Sequence, residues 1–186
     1  MRRTTIVALF VYGMAFHAGP AALGQAPTPP PAQVEAMGKL AHWVGDWKGH
    51  GWATAGPGQR REFTITEKVQ RKIGGTVLLI EGRGTARDGG TGKEVVVHDA
   101  LAVVSYDEHA QRYRWRAHDI RGQALDVEPK LIEGGVRWDF RNQQAEVEIR
   151  FTIRLDEERW HEVGEVSRDG KIWDQFHNSG GSVETG

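Results

Sequence analysis

The sequence predicts an all-β protein: an antiparallel up-and-down β-barrel of about ten strands, preceded by one short helix. Between residues 146 and 155, apolar and polar side chains alternate, giving a strand one dry face and one wet face. The runs 112–117 and 136–141 alternate in the same way. Barrel closure is the simplest arrangement for such a meander because it removes exposed strand edges; a two-sheet sandwich is the alternative.

Turn signals divide the rest of the chain into less regular strands, of which Asp169-Gly170 gives the clearest hairpin signal. These strands are expected at 47–54, 61–72, 76–86, 94–106, 124–132, 158–168 and 171–178. Ahead of them, Val34, Met37, Ala41 and Val44 recur at helical spacing, so we expect a short helix before the first strand.

The N-terminal residues have the pattern of a secretory signal peptide. Arg2 and Arg3 precede a short apolar run, and small residues end at Ala26, where we expect cleavage. A retained N-terminal anchor is the alternative. The sequence then predicts a periplasmic or secreted protein with no stable membrane insertion. Its expected parts are a signal peptide at 1–26, a proline-rich linker at 27–33, a barrel domain at 34–180 and a flexible tail at 181–186.

The composition excludes several classes of function. There are 24 Lys+Arg against 25 Asp+Glu, without a basic stripe, so nothing indicates a nucleic-acid partner. Cysteine is absent, which removes disulfides, thiolate metal sites and cysteine nucleophiles. Neither a phosphate-binding loop nor a nucleophile elbow is present, and His161-Glu162 does not complete a zinc-binding motif. The sequence gives no candidate catalytic residue.

The start of the strand region carries a family resemblance. Gly45, Trp47, Gly49 and Gly51 form a G-x-W-x-G-x-G pattern directly after the expected helix. With the segment 160–173, this pattern resembles the calycin superfamily of lipocalin-like and fatty-acid-binding-protein-like barrels. Within it, the chain is most similar to an uncharacterised bacterial family of lipocalin-like domains. The resemblance implies that Gly45 and Trp47 have a structural role in closing one end of the barrel.

Nitrobindin, a haem-binding ten-stranded barrel, shares the same start and is a weaker resemblance. It implies a haem-ligating histidine in a late strand, where His177 is the candidate. No cofactor is otherwise expected, and haem through His177 is kept as an alternative. Strand alternation predicts which way two other histidines point: His98 is expected to face inward and His118 outward.

Two carboxylates share the alternation of apolar residues, Glu67 with Ile65 and Glu81 with Leu79. Because an isolated carboxylate on an apolar face is costly, both are candidates for a polar anchor inside the barrel. Placement at the barrel rim is the alternative. The expected ligand-binding interior comprises Glu67, Glu81, Tyr113, Trp115, Trp138, Phe140, Ile149 and Phe151.

The leading hypothesis is a binding protein that holds a small, mostly apolar molecule inside the barrel. The alternatives are a haem-binding barrel, a filled barrel with a structural or partner-binding role, and an enzyme in which Glu67 or Glu81 acts as an acid. The seven tryptophans are compatible with either a lined or a filled interior.

Overall fold

The computed structural model describes residues 27–156 and 158–184, so the expected signal peptide lies outside the described residues. Within them the prediction of an all-β antiparallel fold with a short N-terminal helix is confirmed. Helix α1 is Pro31–Gly38, and short 3-10 helices occupy Ala41–Trp43 and Ile73–Gly75. The strands are β1 Gly45–Gly56, β2 Gln59–Lys72, β3 Val77–Arg87, β4 Glu94–Asp107, β5 Arg112–Asp119, β6 Ala124–Val127, β7 Lys130–Ile132, β8 Gly135–Asn142, β9 Val147–Leu155, β10 Arg159–Ser167 and β11 Asp174–Val183.

All eleven strands belong to one sheet, in the order β6-β5-β4-β3-β2-β1-β11-β10-β9-β8-β7. Neighbours in the sheet are neighbours in the chain except where β1 pairs with β11, and every pairing is antiparallel. The sheet curls into a half-barrel whose two edges are β6 and β7. The expected strand 124–132 is divided here, because Pro129 lies between β6 and β7 and proline has no N–H for a ladder.

Two expected boundaries are wrong. The helix begins at Pro31, inside the expected linker at 27–33. Proline is well suited to the first helical position because its missing N–H has no intrahelical partner there. At the other end, β11 continues to Val183, inside the expected tail at 181–186. The pairing of β11 with both β1 and β10 extends this far, which explains the added length.

The glycines of β1 permit a close approach of β11. A Cβ atom on Gly49 would clash with the carbonyl of Gly180, and one on Gly51 would lie 2.5 Å from the Asn178 carbonyl oxygen. Gly45 has a φ of 156°, which favours glycine. The glycines of the G-x-W-x-G-x-G pattern are therefore required by the junction where the first and last strands meet.

Helix α1 packs on one end of the half-barrel. Met37 and Leu40 are fully buried in the main core, and the Tyr113 hydroxyl donates a hydrogen bond of 2.7 Å to the Ala36 carbonyl. The indole Nε1 of Trp47 donates to the Trp43 carbonyl at 2.9 Å. The helical segment is thus joined to the sheet by buried apolar surface and by two buried hydrogen bonds. None of the helices in the described ranges is long and apolar enough to cross a membrane.

The candidate binding cavity

The concave face of the sheet encloses a cavity of about 800 Å³. Its lining comes from strands β1 to β6 and β8 to β11, with Ile120 and Arg121 from the turn between β5 and β6 and Trp43 from the segment after α1. Most of the lining is apolar. Five of the seven tryptophans line the cavity without filling it: Trp43, Trp47, Trp115, Trp138 and Trp160. A cavity of this size and character is typical of a site for a small organic molecule.

One wall of the cavity is a continuous series of six rings. Trp115 and Trp138 stack with centroids 4.7 Å apart and planes 24° apart, and Trp138 stacks on Phe151 at 5.5 Å. The contacts continue at both ends of this central stack. The full order is Trp43, Trp115, Trp138, Phe151, His177 and Phe63. This aromatic wall presents ring faces and edges that match a planar apolar ligand.

Two carboxyl groups face the cavity, Glu67 from β2 and Glu162 from β10. Burial and, second, the charge of Glu162 raise the pKa of Glu67 to about 8. Burial also raises the pKa of Glu162 to about 7. Neither carboxyl has a hydrogen-bond or ion-pair partner in the described part of the chain. Both are therefore disposed to carry a proton near neutral pH in the absence of a partner.

His177 is the member of the aromatic wall that also makes a polar contact. Its Nε2 is 3.0 Å from the hydroxyl of Ser179, which is 1% exposed, and Phe63 stacks on its ring at 5.7 Å. Burial and, second, the charge of His98 lower the pKa of His177 to about 4. The imidazole is therefore neutral at physiological pH.

An irregularity in the strand lies next to each of the two histidines of the cavity, His177 and His98. The register between β10 and β11 shifts after Gly164, which pairs with His177, so Phe176 is an extra residue and both Phe176 and His177 line the cavity. A second shift between β3 and β4, next to His98, leaves Val97 unpaired. His98 lines the cavity, as its alternation with Ala100 and Ala102 predicted, while His118 lies on the outer face.

The open mouth of the cavity combines apolar and cationic side chains. Val95, Val96 and Ile120 line it although they are exposed, with Ile120 62% exposed. Arg61 and Arg121 also line the cavity from exposed positions. The two cations of the cavity are thus on exposed residues, whereas the two unpartnered carboxyls are on half-buried ones.

The expected ligand-binding residues divide into three groups. Glu67, Trp115, Trp138 and Phe151 line the cavity. Three others have the inward alternation but do not line the cavity: Tyr113, Phe140 and Ile149. The Tyr113 hydroxyl is hydrogen-bonded to α1, and Phe140 pairs with Ile149 beyond the cavity. Glu81 is exposed on the outer face of β3, so its expected inward position is wrong.

The error at Glu81 has a physical cause. The run Val77 to Ile80 is apolar at every position, so alternation alone cannot say which set faces inward. In the structure, Leu78 and Ile80 face the core together with Gly82, while Val77 and Leu79 share the outer face with Glu81. A glycine on the inner face gives no hydrophobic signal.

Glu162 and Ser179 were missed by reasoning from the sequence. On β10, the inward positions are those of Trp160, Glu162 and Gly164. The large apolar side chain of Trp160, which is buried, is therefore the feature of the sequence that indicates an inward position for Glu162. Glu162 pairs with Ser179 across β10 and β11. In the described residues, no group of three or more histidine or acidic side chains is arranged to hold a metal ion.

No family model and no curated protein sequence matches this chain. Several solved structures share its fold, and two of them serve as examples. The Rv2717c protein from M. tuberculosis has a TM-score of 0.57 and 13% identity, over 81% of this chain and 98% of that one. The S-type phycobiliprotein lyase CPES from Guillardia theta has a TM-score of 0.53 and 10% identity, over 86% of this chain and 99% of that one. At these identities the likeness shows the fold alone.

The fold and its cavity define a class of protein. The chain is a curled antiparallel half-barrel with a calycin-like fold, and its concave face encloses an internal cavity. This fold is consistent with the sequence resemblance to calycin-like barrels, and no specific family is shown.

Proposed function

We propose that the protein binds a small, mostly apolar molecule inside the half-barrel. The observation that carries this proposal is the cavity of about 800 Å³, lined by the aromatic wall and by two unpartnered carboxyls. An apolar cavity with a few polar groups is the usual form of a small-molecule site. The aromatic wall favours a ligand with a planar ring, because offset stacking adds to the burial of apolar surface.

Tryptophan fluorescence tests this function, because Trp115 and Trp138 lie on the cavity wall. A panel of fatty acids and planar aromatic metabolites is titrated, and at least one compound is expected to give saturable quenching. Ala100→Phe, which places a ring in the cavity, should abolish that signal. Ala124→Phe, at an exposed position of β6, is the matched control and should leave it unchanged. Flat titrations across the whole panel would count against ligand binding.

Haem is a second candidate, favoured by the position of His177 on the cavity wall. Its ring is neutral, and its Nδ1 has no hydrogen-bond partner among the described residues. An apolar cavity with one such imidazole fits a haem, whose iron His177 would ligate. Addition of haem should then give a Soret band that His177→Ala removes and His118→Ala leaves intact. A spectrum identical to free haem would reject this candidate.

We also propose that the protein is exported, on the basis of the basic residues, apolar run and small residues that precede Ala26. The denatured mass of protein recovered from the cell envelope tests this. A mass that begins at Pro27 is expected, and a mass that retains residues 1–26 would contradict cleavage.

A further inference from the structure

The two carboxyls of the cavity come from distant parts of the chain. β1 and β11 lie between β2 and β10 in the sheet, and the curl of the sheet turns Glu67 and Glu162 toward one space. Both carboxyls line the same cavity, and the charge of Glu162 is the second cause that raises the pKa of Glu67. Gly82 leaves room for Glu67: a Cβ atom at Gly82 would lie 2.7 Å from both carboxyl oxygens.

This arrangement has no internal cation in the described residues. Eight ion pairs are formed by those residues, and none includes Glu67 or Glu162. Arg61 and Arg121 line the cavity only from exposed positions and form no ion pair with either carboxyl. Half-buried acidic groups in an apolar cavity are costly to a fold when they ionise without a partner, which favours a partner supplied from outside.

The aromatic wall of the cavity is also suited to a cationic partner. The faces of aromatic rings carry partial negative charge and attract cations, most strongly for tryptophan. Trp115, Trp138 and Phe151 form the stacked centre of the aromatic wall within the same cavity as the two carboxyls. Carboxylates beside aromatic faces are the combination that recognises an organic cation.

We propose that the ligand is a small aromatic amine, whose protonated nitrogen is bound by Glu67 and Glu162 while its ring lies against the aromatic wall. This inference rests on the proposed binding function and names the chemical class of the ligand. Binding is coupled to ionisation of a carboxyl, since an ammonium group favours the charged form of its partner. The protein therefore releases a proton when it binds the amine near neutral pH.

The titratable and charged groups that face the cavity define what else can contribute to this proton balance. They are Arg61, Glu67, His98, Arg121, Glu162 and His177. Burial lowers the pKa of both histidines, so an approaching cation adds no further proton release from them near neutral pH. The two carboxyls are therefore the groups whose removal should abolish the release.

The test uses three indole probes of similar size: tryptamine as the cation, tryptophol as the neutral analogue and indole acetate as the anion. Binding is measured by calorimetry at neutral pH in buffers with different ionisation enthalpies, so that affinity and proton release are obtained together. Glu67→Gln and Glu162→Gln remove one charge each. Glu81→Gln, on the outer face of β3, is the matched control.

We expect wild-type protein to bind tryptamine about tenfold more tightly than tryptophol, which corresponds to ~1.4 kcal/mol, and to release a proton. Glu67→Gln and Glu162→Gln should each weaken tryptamine binding by about tenfold, leave tryptophol within about twofold and reduce the proton release. Glu81→Gln should change none of these quantities. Because Gln is close to Glu in shape, the variants should fold. Independently of any variant, the way in which the binding enthalpy of the wild-type protein changes with the buffer tests whether binding is coupled to proton release.

Two other outcomes overturn the inference and are distinguishable. If tryptophol or indole acetate binds as tightly as tryptamine, the ligand is not selected by its cation, while the proposed apolar binding site stands. If none of the three probes binds at millimolar concentration, both the amine inference and the proposed function lose their support.

Discussion

The carboxyl group of Glu67 lies directly over the backbone of Gly82, on the neighbouring strand of the sheet. A Cβ atom at Gly82 would come within 2.7 Å of both carboxyl oxygens. The carboxyl group of Glu67 on β2 therefore occupies the space that a side chain at position 82 of β3 would fill. Gly82 has an ordinary backbone conformation, so its importance comes from this contact and not from conformational freedom.

Gly82→Ala should displace the carboxyl of Glu67 or move β3. Because the contacted atoms are at the end of the flexible Glu67 side chain, we expect the free energy of unfolding to fall by only about 1 kcal/mol, the low end for overpacked interiors. Urea denaturation measures this change. Gly89→Ala is the matched control, because a Cβ atom there meets open space and its φ is not positive. Equal stabilities for the two variants would show that the cavity accommodates Glu67 elsewhere.

Glu67 should make the protein less stable at alkaline pH. The pKa of this carboxyl is about 8 in the folded state and 4.5 in the unfolded state, so the folded state binds more protons between these values. The free energy of unfolding therefore falls as the pH rises from about 4.5 toward 8, by up to a few kcal/mol at about 1.4 kcal/mol per pKa unit.

Glu67→Gln should flatten this decline, and Glu81→Gln should leave it intact. Urea denaturation at a series of pH values measures the slope. A slope in Glu67→Gln equal to that of the wild type would contradict the assignment of the buried proton to Glu67.

His177 should make the protein less stable at acid pH. Its pKa falls from 6.5 in the unfolded state to about 4 in the folded state, so the unfolded state binds more protons in this window. Its contribution to stability is present above pH 6.5 and is lost as the pH falls toward 4. His177→Gln should reduce this acid slope, and His118→Gln, on the outer face, should not. If the dependence of stability on pH is unchanged in both variants, a group other than His177 titrates in this range.

Trp138 is the centre of the aromatic wall, stacked between Trp115 and Phe151. Trp138→Ala should lower the free energy of unfolding by about 3–5 kcal/mol, the usual cost of removing a large buried ring. Trp173→Ala is the comparison, because that half-buried ring contacts Arg150 outside the cavity, and it should cost about 1 kcal/mol. Thermal or urea unfolding measures both. Equal costs would show that the wall contributes little to stability.

Much of the fold follows from the sequence because strand alternation is a local signal. The regular alternation of Val147–Leu155 and Arg112–Asp119 placed the inner faces of β9 and β5 correctly. The glycine pattern at the start of β1 also indicated the junction, although only the structure shows that Gly49 and Gly51 meet the backbone of β11. These features depend on residues close together in the chain.

The site was less predictable because it depends on long-range geometry. Glu67 and Glu162 are almost a hundred positions apart, and only the curl of the sheet brings them to one cavity. The bulge at Phe176 reverses the alternation of β11 locally, which no pattern in the sequence announces. Glu81 was misplaced because both alternation sets of its strand are apolar.

If the half-barrel binds a small organic molecule in its cavity as proposed, protein purified under mild conditions should retain that molecule. Native mass spectrometry of the full chain, expressed and purified without detergent, tests it most directly when compared with the denatured mass. A surplus mass is expected in the native spectrum, and it should disappear on denaturation and be absent from Ala100→Phe. Identical native and denatured masses, together with no uptake of tryptamine or tryptophol, would contradict it.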